Sequence, residues 1–265
     1  MTNYDPCVKI LCVIFLERGV VLPCFIDLHN HSIFGVDDGA YNLDMSKKML
    51  DIAYNDGIKT ICFTPHFKAH HFSDDSTIVA YNDRISKNYL TLVDYAKTKY
   101  PDMTLFLGNE VMFHSDLCDS LSTNKCKFLG RSKYVLIEFK PETSEFEIKN
   151  TISRVLRKGY NPIIAHIERY VAFQKNKQLL VDLKNMGAFL QINSLSVTKF
   201  KFGRVARLIK YALKKSLVDI ICTDAHNDSD LSPILSKAYK IISSKYGVDY
   251  ASNIFYNNQF KILNT

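Results

Sequence analysis

In this 265-residue chain, histidine and carboxylate residues recur at or just after the C-terminal ends of short apolar segments. The first segment continues into Asp27-Leu28-His29-Asn30-His31, where alternate residues share one face of an extended chain and can point at one centre. A single pair of histidines at this spacing is more often structural. Here the same residue types recur after the later segments, as His66, Glu110, Glu138, His166, Asp224 and His226.

The donor types indicate a cluster of divalent metal ions. Imidazole and carboxylate groups without thiolates suit zinc, manganese or iron rather than a structural zinc site. One ion cannot use so many ligands, so we expect two or three ions, two of them sharing a carboxylate. Such a cluster can activate water for attack at phosphorus. Arg169 is placed to hold phosphate oxygens with its planar guanidinium, although an ion pair with Glu168 is the simpler alternative.

Seven β-strands must position these groups. Short β-rich segments alternate with longer amphipathic segments, which is typical of repeated βα units. The predicted strands are 24–28, 59–63, 104–108, 134–139, 162–165, 188–192 and 218–222, and the predicted helices are 43–55, 76–99, 145–158, 177–186, 204–215, 233–245 and 250–256. Every strand delivers a polar side chain to one rim, which a closed barrel explains better than an open sheet. We therefore predict an α/β fold, a distorted (β/α)7 barrel in a single domain.

The composition restricts the function further. An apolar content of 47% fits an ordinary globular core and excludes a disordered or fibrous chain, and the formal net charge of +7 favours an anionic substrate. The seven cysteines form no CxxC pair and are predicted to be buried thiols of a reducing cytoplasm. No apolar run reaches the roughly 18 to 20 residues that span a bilayer, so we expect no signal peptide and no membrane insertion.

Seven segments resemble the polymerase and histidinol phosphatase (PHP) superfamily over residues 25–263. They are FIDLHNHSIFGVDDG (25–39), ICFTPHF (61–67), GNEV (108–111), YVLIEF (134–139), PIIAHIERY (162–170), QINS (191–194) and ICTDAHN (221–227). Within the superfamily, the GVDDG and AHIERY motifs resemble the capsule and exopolysaccharide branch of bacterial metal-dependent protein-tyrosine phosphatases. The resemblance implies hydrolysis of phosphotyrosine, with a phosphatase of small metabolites such as histidinol phosphate as the alternative.

The resemblance also implies ligands for three metal ions, usually manganese, with zinc or iron as alternatives. The first ion would be held by His29, His31, Glu110 and Asp224, and the second by Glu110, Glu138 and His166. The third would be held by His66, His226 and an aspartate of the 35–39 loop, for which we choose Asp38. Arg169 matches the arginine that binds the substrate phosphate. The implied partner is the phosphotyrosine tail of a membrane-associated tyrosine autokinase, whose dephosphorylation regulates capsule synthesis from the cytoplasm.

Three features depart from the family pattern. Family members often carry a second arginine after the DAHN-like motif, whereas this chain has no basic residue between His226 and Lys237. The loop after His66, often richly basic in the family, contains one lysine, Lys68, and two histidines. The family usually begins a few residues before its first histidines. We therefore predict a domain over residues 24–265 and an extension over 1–23, with the native start near residues 20–22.

Other classes fit the sequence less well. A cysteine-based phosphatase needs five residues between its cysteine and arginine, whereas Cys126 and Arg131 are separated by four. A nucleic-acid-binding or inactive module is disfavoured because the chain has no tryptophan and its lysines form no basic stripe. Gln191 and Asn193 share a strand face, where they either orient water or form an internal network, and His114 is expected to be structural.

Overall fold

The computed structural model describes residues 24–265 and, as backbone only, the antiparallel strand pair β1 (Val13–Phe15) and β2 (Val21–Pro23). The predicted extension over residues 1–23 and its native start near residues 20–22 otherwise lie outside the described residues. In the described part of the chain, no helix combines the length and apolar content needed to cross a membrane.

Nine further strands, all parallel, form the centre of the fold. One sheet has the order β3 (Phe25–Asp27), β4 (Ile58–Phe63), β6 (Thr104–Leu107). The other has the order β5 (His66–Phe67), β7 (Glu110–Met112), β8 (Tyr134–Glu138), β9 (Asn161–Ile164), β10 (Phe189–Asn193), β11 (Ile220–Cys222). β4 and β5 are separated by only two residues, as are β6 and β7, so the nine strands fill the seven predicted positions.

The first and last strand positions meet, which makes the parallel sheet a curled barrel. A parallel bridge joins Asn30, beyond β3, to Ala225, beyond β11. His31 N donates to Ala225 O, and Asp224 N donates to His29 O, each at 2.9 Å. The prediction of a mixed α/β fold built on seven parallel strand positions is confirmed.

The helices surround this sheet. They are α1 (Leu43–Asn55), α2 (Asp75–Lys99), α3 (Leu117–Ser122), α4 (Glu145–Arg157), α5 (Val171–Lys175), α6 (Gln178–Met186), α7 (Ser194–Lys199), α8 (Gly203–Lys214), α9 (Ser236–Tyr246), α10 (Val248–Ser252) and α11 (Asn258–Leu263). Short 3₁₀ turns cover Ala69–His71 and Ile167–Arg169, and a π-turn covers Asn253–Asn257.

Capping residues fix where the longer helices begin. Asn42 Oδ1 accepts from Met45 N at the start of α1, while α2 and α4 each begin with a capping box. The predicted helix over 250–256 is too short, because the helical run continues from Val248 to Leu263 without a glycine or proline to end it. The short helices α3, α5 and α7 were not predicted, since five or six residues show no helical period.

The strands are buried on both faces. Ile26, Leu136 and Ile163 belong to a small inner apolar cluster that also contains Ile262 and Leu263 of α11. The alternate strand residues join the larger core beneath the helices. This double burial explains why the strands read as nearly continuous apolar segments.

The cysteines follow the prediction in part. The described residues include four buried free thiols, Cys62, Cys118, Cys126 and Cys222. Cys24 is disulfide-bonded, so the prediction of seven buried thiols is wrong at this position. Spacing alone did not identify it, because a disulfide requires spatial proximity rather than a CxxC motif.

Candidate metal centre

The structure brings the nine predicted metal ligands together at the carboxyl ends of the strands. We call these side chains the ligand rim: His29, His31, Asp38, His66, Glu110, Glu138, His166, Asp224 and His226. Eight of them belong to groups whose candidate ligand atoms lie within 4.8 Å of one another, and His166 contacts two of those eight.

The first group is fully buried and consists of His29, His31, Glu110 and Asp224. His29 Nε2 lies 3.3 Å from Glu110 Oε2 and 3.1 Å from Asp224 Oδ1. His31 Nε2 lies 3.4 and 3.5 Å from the same two oxygens, and 3.2 Å from His29 Nε2. Ligands about 2.1 Å from one tetrahedral ion are themselves about 3.4 Å apart, so these separations suit a shared ion.

A second group includes Glu110, Glu138, His66 and His166. His166 Nε2 lies 2.9 Å from Glu110 Oε1 and 3.6 Å from Glu138 Oε1. His66 Nδ1 lies 2.9 Å from Glu110 Oε2 and 3.6 Å from Glu138 Oε2. Glu110 Oε2 therefore contacts both groups and Oε1 contacts His166 of the second, so this carboxylate is placed to be shared between two ions.

The third group lies toward solvent. Asp38 Oδ1 is 3.2 Å from His66 Nε2 and 3.6 Å from His226 Nε2, and His31 completes the group. The Asp38 side chain is 64% exposed, whereas the Glu110 and Asp224 carboxylates are buried and Glu138 is 14% exposed. His66 consequently faces the second group with Nδ1 and the third with Nε2.

Several buried donor atoms of the rim lack a hydrogen-bond partner in the described residues. They are His66 Nδ1, Glu110 Oε2 and Glu138 Oε2, and the 2.9 Å ion-pair contact between the first two lacks hydrogen-bond geometry. A buried polar atom without a partner costs about 1 to 3 kcal/mol, more when the group is charged. Divalent ions would satisfy all three atoms at once, so the residues present fit a metal cluster.

The charges of the rim are strongly coupled. Burial alone lowers the pKa of His29, but the carboxylates of Glu110 and Asp224 raise it to about 10. Burial also lowers the pKa of His66, but contacts with Glu110 and Asp38 raise it to about 9. Burial raises the pKa of Glu110, yet His29 and His66 hold it well below its usual range. Protons on the histidines therefore occupy places that metal ions can take.

Asp37 supports the rim, a role that the sequence analysis did not assign to it. Asp37 Oδ2 lies 2.8 Å from His31 Nδ1 and accepts from His66 N at 3.0 Å. Such a carboxylate fixes the orientation of a metal-binding imidazole. Gly39 lets the loop fold back, because a Cβ at this position would lie 2.0 Å from His31 O. The adjacent aspartates between two glycines are the signal for this arrangement.

Gln191, Tyr170 and Asn193 also hold rim residues. Gln191 Oε1 lies 3.3 Å from His29 Nδ1 and accepts from His166 N at 2.5 Å. The Tyr170 hydroxyl lies 3.3 Å from His166 Nδ1, and Asn193 Nδ2 donates to Asp224 Oδ2 at 2.7 Å. Of the two roles considered for Gln191 and Asn193, the structure favours the internal network.

The backbone is strained at two rim positions. His166 has φ of 28° and Asp224 has φ of 53°, a left-handed region that non-glycine residues rarely adopt. Such strain of about 1 to 3 kcal/mol is typical of functional sites.

Asp27 does not join the rim, although its spacing from His29 and His31 suggested a shared face. It accepts from Thr223 N at 2.9 Å, from Thr223 Oγ1 at 2.6 Å and from Asn30 Nδ2 at 3.1 Å. Strand β3 ends at Asp27, so the two-residue alternation does not continue to the histidines. Asp27 instead ties the first strand position to the last.

Arg169 lies at the edge of the rim, at the end of a 3₁₀ turn. Its Nη2 lies 2.5 Å from Asp224 Oδ2, and its side chain is 46% exposed. The alternative pairing with Glu168 is not formed in the described residues, because the buried Glu168 accepts from Asn193 N at 3.1 Å. Arg169 is therefore held against a rim carboxylate while part of its guanidinium faces solvent.

His114 contacts Ser120 Oγ and Met112 O at 3.0 Å each, as expected of a structural residue. The segment after His226 forms a closed turn, in which Asn227 Oδ1 accepts from Ser229 N and Leu231 N. Residues 227–231 of this turn include no basic side chain. A cavity of about 380 Å³ opens elsewhere, beside Asp38 and His66.

Comparison with known proteins gives consistent matches. Residues 25–264 match the family described as capsular polysaccharide synthesis, CpsB/CapC. The chain is 35% identical to the tyrosine-protein phosphatase CpsB of Streptococcus pneumoniae over 243 residues, which are 90% of this chain and 98% of that protein. It is 28% identical to the tyrosine-protein phosphatase YwqE of Bacillus subtilis over 224 residues, 84% of this chain and 85% of that one.

The fold matches solved structures as well. A crystal structure from a study of YwqE from Bacillus subtilis and CpsB from Streptococcus pneumoniae, called unique metal-dependent tyrosine phosphatases, superposes with a TM-score of 0.77. The match has 24% identity and covers 90% of this chain and 94% of that one. A β-aspartyl dipeptidase from Fervidobacterium islandicum has a TM-score of 0.54 at 12% identity, covering 91% of this chain and 73% of that one.

Proposed function

This chain belongs to the CpsB/CapC capsular polysaccharide synthesis family, and on that premise we propose that it is a metal-dependent protein-tyrosine phosphatase. The observation that supports this most directly is the ligand rim itself, where buried carboxylate and imidazole atoms without hydrogen-bond partners surround one centre. Arg169 stands at the edge of that centre with part of its guanidinium exposed. This combination suits the binding of a phosphate ester.

The proposed cofactors are two or three divalent ions, with manganese expected and zinc or iron as alternatives. His29, His31, Glu110 and Asp224 would hold one ion, Glu110, Glu138 and His166 a second, and His66, His226 and Asp38 a third. When bound, such ions supply Lewis acidity and lower the pKa of water toward neutrality.

The side chains of this protein have separate tasks in the reaction. Arg169 binds phosphoryl oxygens and stabilises the charge that develops on them, and Asp224 holds its guanidinium in place. Asp37, Gln191 and Tyr170 fix the ring orientations of the rim histidines. The leaving phenol has a pKa of about 10, so departure needs less help from a general acid than departure of an alkyl alcohol.

The proposed substrate is the phosphotyrosine tail of a membrane-associated tyrosine autokinase, and dephosphorylation would regulate capsule synthesis from the cytoplasm. The family match and the names of the relatives support this assignment. In the same proposal, residues 24–265 form the catalytic domain, residues 1–23 are an extension, and neither nucleic acid nor membrane insertion is involved. The mass of the protein expressed from its native gene tests the start near residues 20–22, because retention of Met1 contradicts it.

Release of phosphate from a phosphotyrosine peptide tests the activity. Protein stripped with a chelator should be inactive and should regain turnover with Mn²⁺. Arg169→Ala should lower the restored turnover by about a hundredfold or more, because it removes a charged donor from the transition state. Arg157→Ala, which removes an exposed cation at the end of α4, is the matched control. Faster release from histidinol phosphate than from the peptide, or full activity in Arg169→Ala, would contradict the proposal.

A further inference from the structure

The cavity beside the rim is lined by both metal-ligand candidates and basic side chains. It measures about 380 Å³ and is lined by Val36, Asp37, Asp38, His66, Lys68, His71, Phe72, Tyr81 and Arg84. Of these, Asp38 and His66 are rim residues, whereas Lys68, from the segment after β5, and Arg84, from α2, are cations. A ligand in the cavity would therefore meet both rim residues and these cations.

Neither of these cations has an anionic partner in the described residues, since no ion pair includes Lys68 or Arg84. The two carboxylates that line the cavity are already engaged. Asp37 contacts His31 and accepts from two backbone amides, and Asp38 contacts His66 and His226. The two cations are therefore available to an external anion.

Arg84 is linked to the rim through Tyr81. The guanidinium carbon of Arg84 lies 5.6 Å from the centre of the Tyr81 ring, within cation–π range. The Tyr81 hydroxyl donates to His66 O. The centres of the Tyr81 and Phe72 rings lie 5.2 Å apart. Tyr81 thus connects Arg84 to a rim residue through one ring contact and one hydrogen bond.

We propose that this cavity binds a second anionic side chain of the substrate, one that neighbours the phosphotyrosine in the peptide. The proposal rests on the proposed function, because the phosphotyrosine itself occupies the rim. A carboxylate and a second phosphate share the required chemistry, since both are bound by lysine and arginine. The cavity also brings cations close to the rim in a chain that has none directly after His226.

Fluorescence anisotropy of labelled peptides tests this independently of turnover. The holoprotein is titrated with three peptides that carry one non-hydrolysable phosphotyrosine analogue and differ at a neighbouring position. That position holds glutamine, glutamate or a sulfotyrosine in place of a second phosphotyrosine. We expect at least one anionic peptide to bind roughly tenfold more tightly than the glutamine peptide. Preference for glutamate alone or sulfotyrosine alone identifies the source of the anion, and equal binding of all three overturns the proposal.

Substitutions locate the effect. Lys68→Gln and Arg84→Gln should reduce the anionic preference to about twofold or less, while Lys97→Gln, an exposed cation elsewhere on α2, should retain it. A preference that survives in the Lys68→Gln, Arg84→Gln double variant would place the anion site elsewhere and overturn the assignment. Failure of the proposed function is separate, because it would show as no phosphate release from any hydrolysable peptide while the anionic preference in binding persisted.

Discussion

Two polar clusters of this molecule differ in whether their carboxylate and imidazole atoms are satisfied by hydrogen bonds. In the ligand rim, His66 Nδ1, Glu110 Oε2 and Glu138 Oε2 are buried without hydrogen-bond partners in the described residues. The second, which we call the tyrosine cluster, joins α1 to the end of α2 and consists of Asp51, Tyr95, Lys99 and Tyr100. Its groups satisfy one another.

Asp51 shows the difference most clearly. Its Oδ1 accepts from the hydroxyls of Tyr95 and Tyr100 at 2.9 and 2.7 Å, and its Oδ2 accepts from Lys99 Nζ at 2.8 Å. The carboxyl is also partly exposed, at 32%. A crowd of titratable groups therefore does not by itself indicate a ligand site. Buried ligand atoms that the protein leaves unsatisfied are the more specific sign.

The largest effect should come from Glu110→Gln. The Glu110 carboxylate contacts both the first and the second group of the rim. The amide of glutamine offers one weaker ligand oxygen in place of two charged ones. We expect bound metal to fall and turnover of a phosphotyrosine peptide to drop by roughly a thousandfold. Elemental analysis and steady-state kinetics measure the two effects, with circular dichroism as the check on folding. Normal metal content with normal turnover would remove Glu110 from the centre.

Asp37→Asn should have a smaller effect on the same cluster. The substitution weakens the contact with His31 Nδ1 but leaves every proposed ligand in place. Loss of such a supporting carboxylate typically costs 10- to 100-fold in metal affinity. Competition with a chelating dye measures this affinity. Asp51→Asn is the matched control, because it changes the same group in the tyrosine cluster and should leave metal affinity as in the wild type.

Metal removal should lower the free energy of unfolding, and the size of this loss should depend on the residues of the ligand rim and not on those of the tyrosine cluster. Ions bound at about a hundred times their Kd stabilise the folded state by about 2.7 kcal/mol, which corresponds to several degrees in Tm. We expect the chelator-induced fall in Tm to be the same in Asp51→Asn as in the wild type, and to be largely lost in Glu110→Gln. Differential scanning fluorimetry with and without Mn²⁺ gives the comparison. An undiminished fall in Glu110→Gln would mean that the stabilising ions bind elsewhere.

The smallest effect should come from Asp51→Asn on stability. Burial raises the pKa of Asp51, but hydrogen bonds from Lys99, Tyr100 and Tyr95 hold it below its usual value. A carboxyl with a depressed pKa stabilises the folded state above its unfolded pKa, about 3.9, and this contribution is lost as pH falls through the folded pKa. Because the group is partly exposed, we expect only about 0.5 to 1 kcal/mol at pH 7.

Urea unfolding of both proteins measures this difference at pH 7 and near pH 3. The gap between wild type and Asp51→Asn should shrink at the lower pH. A gap that grows on acidification would contradict the lowered pKa of Asp51.

The sequence was most informative where a residue's role depends on its place along a strand. The ends of seven apolar segments predicted both the parallel strands and eight of the nine side chains that meet at their carboxyl edge, since parallel strands present those ends together, and the resemblance to the PHP superfamily added Asp38. The choice of Asp38 as the ligand agrees with its place in the third group, but the contact of Asp37 with His31 was not predicted, because only the fold of the loop decides it.

Other features depend on contacts between distant parts of the chain. Asp27 is tied to Thr223, 196 residues away, and no local pattern records that pairing. The contacts that Gln191 and Tyr170 make with the rim histidines arise in the same way, from strand register and side-chain direction. The cavity combines residues 36–38 with the segment after β5 and α2, which lie about 30 or more residues further along the chain.

Anomalous diffraction from crystals grown with Mn²⁺ tests the central claim most directly, because it locates the ions. The account predicts two or three anomalous peaks within the ligand rim, with the Glu110 carboxylate between two of them. Full occupancy of manganese elsewhere in the molecule, or a rim without anomalous density in crystals of protein that hydrolyses phosphotyrosine, would contradict it.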